Sequence, residues 1–258
     1  MTVLAGQIGA IAGRSMTRTV RQPAVVFPPI VFPLALMAVN AAGLTPSTNL
    51  PGFPTDSFLA FALAIPFIQG ALFSTMNAGT DLARDIQTGF LNRLSLTPLR
   101  GSALLAGQLT GIVVLGLVQA VVYVAVGLLA GVEFAAGAAG IAVILLFALL
   151  VSLGFGALGS FLALRTGSGE SVQAFFPMFF VFLFISSMNA PRDLMGVEWF
   201  KTVATLNPVS YLIECVRSLI ITGWDAQALA LGFGVAAAVT VVSIVLASWA
   251  LTQRLTRT

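Results

Sequence analysis

The apolar residues of the chain fall into six long runs that polar stretches separate. Each run has the roughly 20 residues that a helix needs to cross a bilayer, and none shows the polar–apolar alternation of a β-barrel strand. The pattern therefore predicts an all-α membrane protein with six transmembrane helices in a single domain. The predicted spans are residues 24–44, 57–78, 102–130, 136–164, 172–190 and 226–251.

The polar N-terminal segment, residues 1–22, predicts a helix outside the membrane core. Arg14, Arg18 and Arg21 recur at helical spacing on one face, and Leu4, Ile8 and Ile11 lie on another. This pattern is typical of an amphipathic helix on a membrane surface. The alternative is a frayed tail whose arginines only help to set the topology.

Residues 191–223 connect the fifth and sixth spans and are too long for a turn. Asn207 and Pro208 predict a helix start, and the apolar part that follows is too short to span a bilayer. A short re-entrant or interfacial helix is therefore expected. Glu214 and Arg217 are three residues apart, which predicts that they pair on one face of it.

Residues 79–100, between the second and third spans, have both an apolar and a polar face. The apolar stripe consists of Leu82, Ile86, Phe90 and Leu94, and the other face carries Asp81, Asp85, Thr88 and Asn92. The spacing predicts an amphipathic helix over 81–98 that lies parallel to the membrane and ends near Pro98. Such a helix either offers a surface to a soluble partner or only rests at the interface, and the pattern alone leaves both interpretations open.

Two features inside the spans predict close packing and an aromatic surface. Gly156 and Ser160 are four residues apart, a spacing that lets helices approach closely; packing within one subunit is preferred here to a dimer contact. The fifth span is rich in phenylalanine. These rings either face lipid or line a path for an apolar substrate.

The composition supports the membrane assignment and excludes several kinds of chemistry. The chain is 58% hydrophobic and 8% charged, whereas an ordinary soluble domain is about 25% charged. It has no histidine and a single cysteine, Cys215, so no intrachain disulfide forms and no metal site is expected. An intramembrane hydrolase would also lack its base.

The basic residues are distributed unevenly between the two sides of the predicted bundle. If both termini are cytoplasmic, the outer segments hold only Arg192, Lys201 and Arg217. The cytoplasmic segments then hold Arg14, Arg18, Arg21, Arg84, Arg93, Arg100, Arg165, Arg254 and Arg257. The positive-inside rule therefore predicts cytoplasmic termini.

Two motifs resemble those of a known family. Residues 81–107 read DL-x5-TGFL-x-RL-x-L-x-P-x3-SALL-x-G, and residues 207–217 read NPVSYLIECVR. Together with the six spans and the long loop before the last span, they resemble the membrane subunits of type-two ABC exporters. The nearest branch is that of the daunorubicin-resistance permeases, and the resemblance covers nearly the whole chain.

The resemblance implies roles for individual residues. It implies a coupling helix that seats in an ATPase subunit, with contributions from Asp81, Arg84, Asp85, Gly89, Phe90, Arg93 and Pro98. It implies a second, smaller contact in the loop 165–170 and an outer gate in residues 191–223 that includes Asn207, Pro208, Tyr211, Glu214 and Arg217. The first, second and fifth spans would border the substrate path, where the amides and aromatic rings point to Gln69, Asn77, Phe176 and Phe180.

The energy source is expected to lie outside this chain. The only lysine, Lys201, stands in Phe-Lys-Thr, so the Gly-Lys-Ser/Thr end of a P-loop is missing. No charged residue lies near the centre of a predicted span, which argues against ion coupling. An ion-coupled carrier and a lipid flippase without an ATPase remain the alternatives.

The sequence therefore predicts a permease of the bacterial inner membrane that is not itself an enzyme and holds no cofactor. Two ATPase subunits would carry ATP and magnesium, and a second permease, identical or related, would complete the transporter. The expected substrate is an amphiphilic drug, lipid or glycolipid that leaves the cell, as in antibiotic resistance and multidrug efflux. Membrane lipid surrounds the chain, and no nucleic-acid partner is expected.

Overall fold

The computed structural model describes residues 6–7, 9–14, 17, 21–95 and 101–255. Pro98 and much of the predicted N-terminal helix lie outside these ranges. The helices are α1 (Pro23–Leu44), α2 (Phe58–Ala62), α3 (Ala64–Gln87), α4 (Phe90–Ser95), α5 (Gly101–Leu129), α6 (Gly137–Thr166), α7 (Gly169–Ala174), α8 (Phe176–Phe184), α9 (Glu198–Leu206), α10 (Pro208–Ile221) and α11 (Ala226–Leu255), with 3₁₀ turns at Thr45–Asn49 and Arg192–Leu194. The described ranges contain no β-strand, so the predicted all-α membrane class is confirmed.

Five helical stretches in the described ranges are long and apolar enough to cross a membrane. They are Val26–Asn49, Phe58–Gln87, Ala103–Leu129, Gly137–Thr166 and Ala226–Arg254. These stretches coincide with five of the six predicted spans. The second of them continues well beyond the predicted end at residue 78.

The predicted fifth span, 172–190, is not one continuous helix. It consists of α7 and α8, which together cover Gly169–Phe184 and meet at Phe175. At about 1.5 Å per residue they are shorter than the roughly 30 Å of a hydrocarbon core. Pro177 explains the interruption, because it has no backbone N–H to continue the helical hydrogen bonding. Residues 185–188 follow α8 and are not helical; together with α7 and α8 they are named here the fifth crossing, after the predicted span.

The bundle is organised around α3 and α6, which run parallel to each other. α6 packs most extensively against α3 on one side and α11 on the other, and α5 packs against both α3 and α6. In the most apolar stretch of the α2–α3 segment, 94% of the residues are buried. In the corresponding stretches of α1 and α11, 22% of the residues are buried. The outer helices therefore expose apolar side chains, such as Phe27 and Val241, as a lipid-facing surface requires.

The charged side chains of the described residues lie at two ends of the bundle. At the end named here the Asp85 end, α3 and α6 terminate beside α4 and α7. At the opposite end, the Arg217 end, α3, α6 and α11 begin, and α10 is enclosed among them. The backbone N–H groups of Ala135 and Ala136 donate to carbonyls of α10 there, at 2.9 and 3.1 Å.

Candidate functional site

Asp85 connects three parts of the chain at the Asp85 end. Its carboxylate accepts two hydrogen bonds from Arg14, with N–O distances of 3.0 and 3.3 Å, and one from Gln108 Nε2 at 3.4 Å. The Arg14 guanidinium also lies 3.8 Å from the centre of the Phe90 ring. This cluster therefore links the N-terminal stretch, α3, α4 and α5.

The N-terminal stretch 9–14 is helical and packs onto the bundle. Ile11 and Ala12 are buried, and Ile11 belongs to an apolar cluster with Leu82 and Leu104. Arg14 lies at the polar side of the same contact. The described residues thus have the apolar and polar faces of the predicted amphipathic helix. Leu4, Ile8 and Arg18 lie outside the described ranges, and Arg21 lies in a turn before α1.

The predicted separate helix over 81–98 is wrong at its first half. Residues 81–87 are the last turns of α3, because no proline or left-handed residue interrupts that helix after Pro66. The break comes at Gly89, whose φ of +69° suits glycine. α4 begins immediately after it.

The predicted coupling residues divide into an inner and an outer group. Arg84 and Arg93 are exposed, whereas Asp85 is buried and Phe90 is half-buried against Arg14. Asp81 is half-buried and has a polar partner of its own. The side chains that present charge outward are therefore the two arginines.

The loop 165–170 lies at the same end of the bundle. The following helix, α7, packs against α3, where Gly79 leaves room for Val172. Glu170 is exposed, and the Ser168 hydroxyl donates to its carboxylate at 2.6 Å, which lowers the pKa of Glu170 below its usual value. Both predicted contact segments therefore lie on one face of the molecule.

Aromatic side chains of α1, α3 and α8 form one cluster. The ring centre of Phe73 lies 5.1 Å from that of Phe176 and 6.0 Å from that of Phe32. Phe180 lies 4.8 Å from Phe176 and 6.0 Å from Phe32. The structure thus brings the predicted path residues Phe176 and Phe180 together, at the junction of three helices.

The predicted amides Gln69 and Asn77 lie one turn to either side of Phe73 on the same face of α3. Gln69 is fully buried, and its amide oxygen and nitrogen have no hydrogen-bond partner among the described residues. Asn77 is half-buried and has a polar partner. A buried amide without partners is unfavourable, so this face of α3 suits a polar group that enters from elsewhere.

Tyr123 of α5 supplies a hydrogen bond that α1 lacks. Pro33 has no N–H, so the carbonyl of Pro29, four residues earlier, loses its helical donor. The Tyr123 hydroxyl donates to that carbonyl at 2.5 Å. Sequence reasoning missed Tyr123, because the proline spacing predicts the unsatisfied carbonyl but not the residue that reaches it.

Replacing Tyr123 with phenylalanine is expected to lower stability by about 1–3 kcal/mol, because it leaves the buried Pro29 carbonyl unsatisfied. The chain's other tyrosine, Tyr211, provides a matched control. Its hydroxyl donates to the exposed Thr205 carbonyl, which water can satisfy, so Tyr211→Phe should cost no more than about 0.5 kcal/mol. Thermal unfolding of the two purified variants in detergent measures the difference, and equal midpoints would contradict the assigned role of Tyr123.

Arg217 is buried at the Arg217 end and bonds to backbone carbonyls from two other parts of the chain. It is 7% exposed, and its Nε, Nη1 and Nη2 donate to the carbonyls of Phe61, Ser187 and Met188 at 3.3, 2.8 and 2.9 Å. Its guanidinium also stacks 3.5 Å from the centre of the Phe61 ring. Because residues 187 and 188 belong to the non-helical part of the fifth crossing, Arg217 satisfies carbonyls that no helix satisfies.

Asn207 acts on the same crossing and starts α10. Its Oδ1 accepts from the Val209 N–H at 3.0 Å, which confirms the predicted helix cap, and Pro208 occupies the first turn. Its Nδ2 donates to the carbonyls of Phe182 and Ile185 at 2.6 and 3.2 Å. One side chain therefore both begins α10 and closes the end of α8.

The predicted pair between Glu214 and Arg217 is wrong. Glu214 pairs with Arg192 at 2.6 Å, and Arg192 also lies 4.7 Å from the centre of the Tyr211 ring. Burial lowers the pKa of Arg192, but the Glu214 carboxylate and, to a smaller extent, Tyr211 together more than offset this, so the pKa lies above its ordinary value. Arg217 instead turns toward backbone carbonyls, which the spacing along one helix could not indicate.

Comparisons with known proteins identify a family match and several similar proteins. The family profile described as ABC-2 type transporter matches residues 6–221. The daunorubicin resistance ABC transporter permease protein DrrB1 of Streptomyces coeruleorubidus is 30% identical over 171 residues, which cover 64% of this chain and 58% of that protein. The putative transport permease ycf38 of Porphyra purpurea is 28% identical over 214 residues, which cover 82% of this chain and 72% of that protein. Its counterpart in Pyropia yezoensis is 29% identical over 216 residues, which cover 83% and 73%.

Proposed function

The chain belongs to the ABC-2 type transporter family, and on that premise we propose that it is the membrane subunit of an ATP-driven exporter of the bacterial inner membrane. A separate ATPase subunit, present in two copies, binds ATP and magnesium. A second permease subunit, identical or related, completes the path. In this orientation both termini and the Asp85 end face the cytoplasm.

The observation that carries the proposal is the pair of exposed cations on either side of the break at Gly89. Arg84 and Arg93 lie at the end of the bundle that also holds the loop 165–170. We call Arg84 and Arg93 the docking surface. An ATPase that seats against it engages a helix end that continues directly into the buried centre of the bundle.

The Asp85 cluster transmits the motion of the docked ATPase. Phe90 and Asp85 both contact Arg14, so a shift of α4 pulls on the N-terminal stretch. Gln108 connects the same carboxylate to α5. α3 is a continuous helix from the Asp85 cluster to the aromatic cluster. A rotation of α3 at the Asp85 end would therefore also move the residues of α3 that border the substrate path.

An amphiphilic substrate fits the face of α3 that the path would use. The apolar part of the molecule would contact Phe176 and Phe180, and a polar group would satisfy the amide of Gln69. The relative named for daunorubicin resistance supports a drug of this class, and a lipid or glycolipid has the same division into apolar and polar parts.

Reversing both charges of the docking surface, Arg84→Glu with Arg93→Glu, is expected to abolish most of the ATPase binding. Co-purification of the tagged chain with the P-loop ATPase of its own cell should fall on the order of tenfold or more, because like charges replace complementary ones. The double variant Glu133→Lys with Glu198→Lys reverses two exposed charges at the Arg217 end and should retain the ATPase. Equal retention by the two double variants would contradict the proposed docking.

Transport in reconstituted vesicles distinguishes the proposed ATP-driven exporter from an ion-coupled carrier. The purified chain without an ATPase should not move substrate when a proton or sodium gradient is applied, because the described spans hold no charged residue near their centres. Gradient-driven accumulation in vesicles that contain only this chain would favour the carrier.

A further inference from the structure

A pocket of about 570 Å³ opens at the Arg217 end, within the range of roughly 300–1,000 Å³ that small-molecule sites occupy. It lies between the start of α11, the end of α10 and one face of α9. Its charged lining consists of Arg192, Asp193, Lys201, Glu214, Arg217 and Asp225. So many charges are unusual in a chain with only 12 basic and 9 acidic residues.

Most of these charges remain available to a ligand. Arg192 and Glu214 neutralise each other. The side chains of Lys201 and Asp193, in contrast, have no ion pair or hydrogen bond within the described part of the chain. Lys201 is half-buried and Asp193 is exposed.

The remaining two charges are fixed in place but retain bonding capacity. A guanidinium has five N–H groups, and three of those on Arg217 are used by backbone carbonyls. The Asp225 Oδ1 accepts from the N–H groups of Gln227 and Ala228 at the start of α11, and its second oxygen remains. The pocket therefore offers two cations and two carboxylates, a balance that suits a ligand with one charge of each sign.

The surroundings of the pocket are typical of the level of lipid headgroups. On α9, Lys201 and Thr205 line the pocket, while Trp199 and Leu206 are exposed on another face, at 65% and 78%. Trp224, next to Asp225, is 58% exposed. Exposed tryptophans concentrate at membrane–water interfaces, and an amphipathic helix such as α9 lies in that plane.

We propose that this pocket binds the headgroup of a zwitterionic phospholipid from the adjacent leaflet. Lys201 and the free N–H groups of Arg217 bind the phosphate, and Asp193 and Asp225 bind the amine. The acyl chains lie against the exposed apolar residues of α9. The inference does not depend on the proposed function, because it concerns lipid binding to this chain alone.

Native mass spectrometry of the full-length chain, released from detergent, tests the site with three added lipids. Phosphatidylethanolamine should bind saturably and more tightly than anionic phosphatidylglycerol or uncharged diacylglycerol. Lys201→Ala and Asp193→Ala should each weaken its binding about tenfold, as expected for a lost hydrogen bond to a charged group. Asp193→Lys should shift the preference toward phosphatidylglycerol.

Glu198→Gln is the matched control, because it removes an exposed charge from the same helix, three residues before Lys201, outside the pocket lining. It should bind phosphatidylethanolamine like the unmodified chain. Equal binding of all three lipids, or unchanged binding in Lys201→Ala and Asp193→Ala, would overturn the proposal. Thermal unfolding of each variant verifies that its fold is intact, which is expected because neither Lys201 nor Asp193 has a partner within the described ranges.

Discussion

Replacing Arg217 with alanine is expected to destabilise the protein by about 3–5 kcal/mol, because it leaves buried backbone carbonyls without a donor, at a cost of about 1–3 kcal/mol each. The substitution removes three hydrogen bonds to the carbonyls of Phe61, Ser187 and Met188 and the stacking on the Phe61 ring. Two of these carbonyls belong to Ser187 and Met188, which are buried in a non-helical stretch, so no helical N–H replaces the lost donor. The yield of folded protein from membranes and its thermal midpoint in detergent should both fall sharply.

Two further variants test whether the destabilisation comes from the lost Arg217 hydrogen bonds or from the loss of any arginine. Arg84→Ala removes an exposed arginine from α3 and should change stability by no more than about 0.5 kcal/mol. Arg217→Lys retains the charge but not the planar fork, so it should recover only part of the loss. An Arg217→Ala variant as stable as Arg84→Ala would refute the account of how the fifth crossing is completed.

Replacing Gly159 with valine is expected to cost about 3 kcal/mol, the upper end for added volume in a packed interior. At this position α6 crosses α3 so closely that a Cβ would overlap the carbonyl oxygen and carbonyl carbon of Thr75. Backbone atoms cannot rotate away as a side chain can, so the two central helices would have to separate. α3 positions both the Asp85 end and the aromatic cluster. Separation of α3 from α6 should therefore also reduce transport by those Gly159→Val molecules that still fold.

Gly234→Val provides the matched control for Gly159→Val. Gly234 also lies within a long apolar helix, but a Cβ there would meet no atom within 4 Å. Because valine has a somewhat higher helix propensity than glycine, Gly234→Val should be neutral or slightly stabilising. Similar thermal midpoints for the two variants would show that α3 and α6 are not in the close contact described here.

The close contact between α3 and α6 was only partly foreseeable from sequence. Small residues at four-residue spacing drew attention to Gly156 and Ser160. Gly156 does face another helix of the same chain, at Ile112 of α5, whereas the Ser160 hydroxyl bonds back to its own helix at 3.0 Å. The tightest approach is at Gly159, since a spacing pattern shows that a helix has a smooth face but not where its neighbour crosses.

The sequence by itself determined the features that depend on a few neighbouring residues. Hydrophobic run length placed five of the spans, because the bilayer demands about 20 apolar residues in a row. Asn207 and Pro208 marked the start of α10, because capping involves residues two or three apart. The polar stretch around Asp85 was recognised by its composition, and its resemblance to a transporter motif pointed to the family that residues 6–221 match.

The tertiary structure decided which polar groups meet. Tyr123 and Pro29 are 94 residues apart, Arg217 and Phe61 are 156 apart, and Arg14 and Asp85 are 71 apart. A local pattern indicates that a group needs a partner, as Pro33 does for the Pro29 carbonyl, but the partner depends on how helices from distant parts of the chain pack. Buried polar atoms need partners within the protein, and helix packing determines which partners are in reach. For this reason Arg217 bonds to backbone carbonyls and not to Glu214, and Asp85 pairs with Arg14.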